Sequence, residues 1–215
     1  MTKIQKLQEV DRHLNHLPES INRIRNAESS PDLRSGWEEF LFGYGRAIGK
    51  MITLALDCPE TRSWGHRLKA ASTQEDPGLV YLREARNIAE HGLAPFAEFT
   101  PARTLLAGGM ICIEGSSSIE MRGNTVNGLS DGDYTVITKE GRPVQVIGQP
   151  RLGIGYTPFR MKLIPLTNLE KRKTFPLPLH LGGNPVDPGS PIELAEAALV
   201  FLSDQRVTLA RLLKP

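Results

Sequence analysis

The chain has 215 residues, enough for one large domain or two small ones. Apolar residues make up 40%, which supports a buried core and excludes wholesale disorder. Lys and Arg number 26 against 24 Asp and Glu, so the whole chain carries no broad electrostatic signature for nucleic acid.

Eleven of the 16 prolines fall from Glu98 onward, and helical periodicity gives way to strand-like segments at the same place. The expected fold is α+β: an antiparallel helical bundle over 1–97, then a β-rich module with an irregular loop and a C-terminal amphipathic helix over 98–215. No run of 18 apolar residues occurs, so no membrane-spanning helix is expected. The start, MTKIQKLQEVDRHL, lacks an apolar h-region, which argues against a secretory signal and for a cytoplasmic protein.

The first helix shows a narrow apolar stripe at Leu7, Val10, Leu14, Leu17, Ile21 and Ile24. Pro18 lies inside it, but the stripe keeps its phase, so a kinked helix or two abutting helices is expected there. Ser30-Pro31 offers an N-cap and a proline at the first helical position, and Ser35 to Glu38 offers a second possible start. The second helix then runs through Trp37, Phe40, Leu41, Tyr44, Ile48, Met51, Ile52 and Ala55. Gly45 and Gly49 sit one turn apart on it. Each costs about 1 kcal/mol in helix propensity, so close approach of a helix backbone, or of a ligand, is expected there. After a break at Asp57 to Thr61, a short helix buries Trp64, Leu68 and Ala71. Asp76-Pro77 starts a further helix that ends at Gly92, with Leu93 folding back on Ile88.

Four strand-like runs follow: 110–113, 118–121, 134–137 and 144–147. Turn chemistry separates them at Gly115 to Ser117, Gly123-Asn124, Asp131 to Asp133 and Glu140 to Pro143. Residues 160–164 offer one more strand, and 174–188 read as an irregular loop. Ser190-Pro191-Ile192-Glu193 is a strong helix start for the last helix, which is expected to dock on the bundle or the sheet.

Metal and cofactor chemistry find little support. His13 and His16 stand at i, i+3, but no persuasive carboxylate pair completes a site beside Glu9 and Asp11. Cys58 and Cys112 have no CxxC partner, and no GxSxG, P-loop or GxGxxG is present. No metal and no cofactor is expected.

One segment stands out: Arg86-Asn87-Ile88-Ala89-Glu90-His91 at the end of a helix. His91 falls in the last turn, where the negative helix end favours a protonated ring and acid–base work. Asn87 is one turn before it, placed to orient the ring. Arg86 lies about 140° away round the helix, so one copy does not aim Arg86 and His91 at one spot. Two copies facing across a two-fold axis solve that geometry, and Arg can grip a phosphate bidentately while His moves protons. Glu84 and Glu90 flank the motif as salt-bridge partners for Arg83 and Arg86, and Tyr81 reads as core or as a base-stacking platform.

This RNxxxH pattern late in a small helical bundle resembles the HEPN superfamily, whose mark is Rx4–6H, over about residues 1–97. The resemblance implies a metal-independent endoribonuclease acting as a homodimer through the bundle, in a toxin or defence system with an antitoxin or regulatory protein as partner. In that family a 2′-hydroxyl attacks the adjacent phosphate and leaves a 2′,3′-cyclic phosphate. Carried over, His91 serves as general base or acid, Arg86 stabilises charge developing on phosphate, and Asn87 positions groups. Other members bind or regulate without cutting, so a non-catalytic nucleotide- or RNA-binding module is the alternative. A purely structural α+β domain is the third reading, and it places neither Arg86 nor His91 near a cleft. A local basic run, Arg151, Arg160, Lys162, Lys171, Arg172 and Lys173 with Tyr156 and Phe159 interleaved, is a candidate track for RNA phosphates.

Overall fold

The structure is a computed structural model and describes residues 2–27, 29–91, 97–126, 129–168 and 172–213. In chain order the elements are α1 (Lys3–Arg25), α2 (Ser30–Asp57), α3 (Arg62–Ala70), a π-helical turn (Ala71–Glu75) and α4 (Pro77–His91). Then come β1 (Ala97–Thr100), β2 (Arg103–Leu106), a 3-10 turn (Ala107–Gly109), β3 (Ile111–Glu114), β4 (Ser117–Val126), β5 (Leu129–Lys139) and β6 (Arg142–Gly148). The chain continues with β7 (Gly155–Thr157), β8 (Arg160–Leu163), β9 (Leu166–Asn168), β10 (Lys173–Phe175), β11 (His180–Leu181) and β12 (Asn184–Pro185), and ends on α5 (Pro191–Leu212). The fold is α+β, with helices first, antiparallel strands next and one helix last.

Two compact units form, and the chain crosses between them more than once. One unit takes 1–27, 31–98 and 161–215; the other takes 28–30 and 99–160. The 98–215 segment, read from sequence as one module, is thus divided: its last part packs with the helices.

In the helical unit, α1 begins with a capping box in which Thr2 and Gln5 satisfy each other's backbone N–H groups. The helix runs through Pro18 without interruption, burying Val10, Leu14, Leu17, Ile21 and Ile24. From Val10 onward the predicted stripe is its buried face, while Leu7 is only partly buried. α2 starts at the earlier of its two possible caps and buries Trp37, Phe40, Leu41 and Tyr44 almost completely. Trp37 stacks on Phe40 with ring centres 5.5 Å apart, and Phe40 on Tyr44 at 6.3 Å. Full burial of each such side chain contributes about 1.5–3 kcal/mol, and the run of them makes α2 the centre of this core.

α5 is capped as the sequence predicts, Ser190 Oγ accepting from the Glu193 N–H at 3.2 Å. It docks on α1, where Arg206 holds Asp11 with two bonds of 2.6 Å and Arg25 pairs with Glu196. The stretch 174–188, expected to be irregular, instead contains short paired strands: β10 pairs with β9 and β11 with β12. Strands of two or three residues are too short to show a period of two.

In the second unit, β4, β5 and β6 form an antiparallel meander, and β2 pairs with both β3 and β7. Tyr134, Val136 and Thr138 alternate onto the buried face of β5. Leu106, Ala107, Ile113, Met121, Tyr134 and Val136 make the core. The β5–β6 hairpin turns on Glu140-Gly141, with φ of 52° and 79°, as a two-residue turn of primed type requires. A Cβ on Gly141 would stand 1.9 Å from the Ala102 carbonyl oxygen, so only glycine fits. Two of the expected turns are corrected. Gly123-Asn124 and Asp131 to Asp133 lie inside β4 and β5, where the register shifts between Met121 and Asn124. Their turn-type residues mark a bulge rather than a reversal.

Candidate functional site

The site is built on α4. Asp76 caps this helix, its Oδ1 accepting from the Leu79 N–H at 2.9 Å, while Oδ2 accepts from the Gly182 N–H at 2.7 Å. The preceding π-helical turn closes with the Asp76 N–H on the Ala71 carbonyl at 3.0 Å. Such π-helical turns recur at functional sites. One face of α4 is fixed in the core by Leu79, Leu82, Ala85 and Ile88. Tyr81 is core too: its hydroxyl donates to the Ile164 carbonyl at 2.8 Å, and burial pushes its ionisation far above the usual tyrosine value. A base-stacking role is not what this placement offers.

His91 is the last residue of α4 and is exposed, with no hydrogen-bond or ion-pair partner among the described residues. Asn87 is partly buried one turn earlier. The expected cap at Gly92 and the contact of Leu93 with Ile88 lie outside the described residues. Arg86 turns the other way round the helix. Its Nη2 donates to Glu90 at 3.0 Å, the i, i+4 pair read from sequence. Its side chain lies across Gly45 of α2, where a Cβ would meet Arg86 Cδ at 2.6 Å and Nη1 at 3.0 Å. The second flanking pair also forms. Arg83 donates through Nε and Nη2 to Oε1 of the fully buried Glu84, and Glu84 Oε2 accepts from Asn168 Nδ2 at 3.3 Å.

Arg86 enters a cleft of about 400 Å³ formed by α2, α3, the π-helical turn and α4. Its walls include Ile48, Ile52 and Leu56 of α2, and its cations are Lys69, Arg83 and Arg86. None of the residues lining it is acidic. Gly49 faces open space, with nothing within 4 Å of a Cβ built there. Gly45 and Gly49 therefore do not seat another helix backbone: Gly45 receives an arginine and Gly49 forms bare floor.

Two polar atoms at this cleft lack partners. Tyr44 Oη and Arg86 Nε are buried and make no hydrogen bond among the described residues. Burial, with the Asp76 charge adding to it, holds the Tyr44 phenol well above the ordinary tyrosine range, so it remains an O–H donor. A buried donor left unmet costs about 1–3 kcal/mol, so these two atoms call for acceptors.

The structure brings Arg86 to a cleft and leaves His91 outside its lining, consistent with their separation round the helix. The basic run does not form one track within either unit. Arg151 and Arg160 belong to the strand unit and Lys162, Arg172 and Lys173 to the helical unit, while Lys171 lies outside the described residues. All five described residues are exposed, and Lys173 sits over the Phe175 ring at 5.2 Å. His13 and His16 border a polar groove with Arg46 and Glu39, and no group of three metal-ligating side chains occurs among the described residues. Burial, with Arg12 and Arg46 nearby, lowers the His13 ring's affinity for a proton.

Sequence reasoning missed Tyr44, Lys69 and Arg83 as cleft residues. The i, i+4 glycine pair was the signal that a surface of α2 is left uncovered, but the partners come from three other segments. No family model, curated protein or solved structure matches the chain.

Proposed function

We propose that the helical unit is HEPN-like and acts on RNA through α4. Arg86 supplies the phosphate contact, Asn87 positions, and His91 supplies the acid–base group. The site is completed when a second copy of α4 is apposed across a two-fold axis, and catalysis is metal-independent, ending in a 2′,3′-cyclic phosphate. The observation that supports this reading is the freedom of both groups: His91 is exposed and unpartnered among the described residues, and the carboxylate on Arg86 is the half-exposed Glu90. An exposed pair of that kind is worth about 0–1 kcal/mol, so a phosphate displaces it readily. A purely structural domain calls for neither residue near a cleft, and Arg86 lines one.

A second reading is a binding or regulatory module of the same kind that does not cut. It is favoured by the absence of His91 from the cleft that holds Arg86. Total RNA incubated with EDTA-treated protein separates the two. Cleavage by the parent and none by a folded His91→Ala variant supports catalysis. RNA binding without turnover by both supports the module. Equal cleavage by both rules out His91 as the acid–base group.

A further inference from the structure

We propose that the cleft between α2 and α4 binds a small organic anion, its carboxylate or phosphate head at the Gly45 end and its apolar body over Gly49. This site shares Arg86 with the RNA reading but not His91, and it does not rest on that reading.

The head group is argued from donors. Tyr44 Oη and Arg86 Nε are both buried and without a hydrogen-bond partner among the described residues; Tyr44 lines the cleft, and Arg86 Nε lies 3.6 Å from where a Gly45 Cβ would stand. Tyr44 is 1% exposed, and both Asp76 and Arg83 are close enough for their charges to be felt at the phenol, Asp76 the more strongly. Lys69 adds a third cation, exposed and without a carboxylate partner among the described residues. The lining holds two hydrogen-bond donors and three cations, of which Arg83 is held by Glu84 and Arg86 by Glu90, and its residues include no acid, a set that favours an anionic oxygen. A cationic head meets like charge, and a neutral acceptor meets the donors without the charge assistance an anion adds.

The body is argued from the floor and walls. Gly49 carries no side chain and faces open space, while Ile48, Ile52 and Leu56 give an apolar wall. From Gly45 to Leu56 is about 16 Å of helix at 1.5 Å per residue, which bounds the ligand's length. The Ser72 and Thr73 hydroxyls donate to the Lys69 carbonyl at 3.0 and 2.8 Å, so towards the cleft they offer lone pairs. The arrangement is that of a pocket with an apolar body and a few convergent polar groups.

Entry to the donors is gated by Arg86 itself, because its side chain covers Gly45. The other hold on Arg86 is the half-exposed Glu90, a weak pair. An anion exchanges that carboxylate for its own oxygens, and the arginine lifts off the glycine as the head group enters.

Calorimetric titration of the full chain with decanoate, adenosine monophosphate and inorganic phosphate tests this. At least one of the two organic anions is expected to bind at least about tenfold more tightly than inorganic phosphate, since the body contributes. Which of them does so identifies the body as a chain or a ring. Gly49→Leu fills the floor and Arg86→Met removes the head contact; each is expected to weaken binding at least about tenfold. Lys69→Met, at an exposed position, carries the test if Gly49→Leu fails to fold. His91→Ala is expected to bind like the parent, so loss of RNA cleavage and loss of this site are told apart. Neither organic anion surpassing inorganic phosphate overturns the proposal. So does parental affinity in folded Gly49→Leu, or in both Arg86→Met and Lys69→Met.

Discussion

Gly49→Ala asks whether the α2 glycines line a cleft or a helix–helix seam. Glycine in a helix interior costs about 1 kcal/mol relative to alanine. At a close helix contact, an added methyl loses more than this through overpacking, typically about 1–3 kcal/mol. A Cβ at Gly49 meets nothing within 4 Å, so only the propensity gain remains. The expected result is a stabilisation of about 0.5–1 kcal/mol, or a rise in Tm of about 1–4 °C for a chain of this size. Gly65→Ala is the internal contrast. Its Cβ would lie 2.9 Å from Ala55 Cβ and 3.3 Å from the Ala55 carbonyl carbon, so it is expected to destabilise by about 1–3 kcal/mol. Urea unfolding followed by circular dichroism at the helix band measures both. A loss of about 1 kcal/mol or more in Gly49→Ala would refute the open cleft, because it would mean that another segment packs there.

Asp131 anchors the strand unit: it is fully buried, accepts from the Tyr134 hydroxyl at 2.5 Å and from the Leu152 N–H at 2.8 Å, and its carbonyl takes the Arg151 N–H. Asp131→Ala is expected to cost about 3 kcal/mol, read as a lower urea midpoint, whereas a loss under about 1 kcal/mol would show these bonds to be incidental. Burial, then the bond to Asp131, pushes the Tyr134 phenol from 10.0 up to about 12. The folded chain keeps a proton that the unfolded chain loses, so this contribution to stability is full below pH 10 and declines between 10 and about 12. Tyr134→Phe should flatten that decline in alkaline unfolding curves, and an unchanged slope would contradict the assignment. Of the two free thiols, Cys112 is exposed and Cys58 buried, so a thiol reagent should label Cys112 quickly and Cys58 only on unfolding; fast labelling of both would place Cys58 wrongly.

The helices were legible because their signals are local and repeated. α1, α4 and α5 combine a cap at Thr2, Asp76 or Ser190 with a sustained apolar face, and α2, which starts at Ser30-Pro31, shows a sustained apolar face of its own. The central strands were legible for the same reason: Tyr134, Val136 and Thr138 alternate in register against β4 and β6. What was not legible depends on distant partners. β2 is four residues long and is defined by pairing with β3 on one side and β7 on the other. Gly123 and Gly132 look like turn residues until β4 and β5 are paired through them. The return of residues 161–215 to the helices hangs on contacts such as Tyr81 to Ile164 and Arg206 to Asp11, separated by 83 and 195 positions. The candidate site follows the same rule. The local pairs Arg83–Glu84 and Arg86–Glu90 could be read from spacing. The meeting of Arg86 with Gly45, and the presence of Lys69 in the same cleft, could not, since no local pattern links three helices.

The central functional claim is that Arg86 and His91 act together on an RNA phosphate. The most direct measurement is a gel and end-group assay of total RNA with metal-stripped parent, Arg86→Ala and His91→Ala proteins, each shown by circular dichroism to be folded. The account predicts fragments ending in 2′,3′-cyclic phosphate from the parent and none from either variant. Fragments from His91→Ala at the parent's rate, or no cleavage by the parent itself, would contradict it.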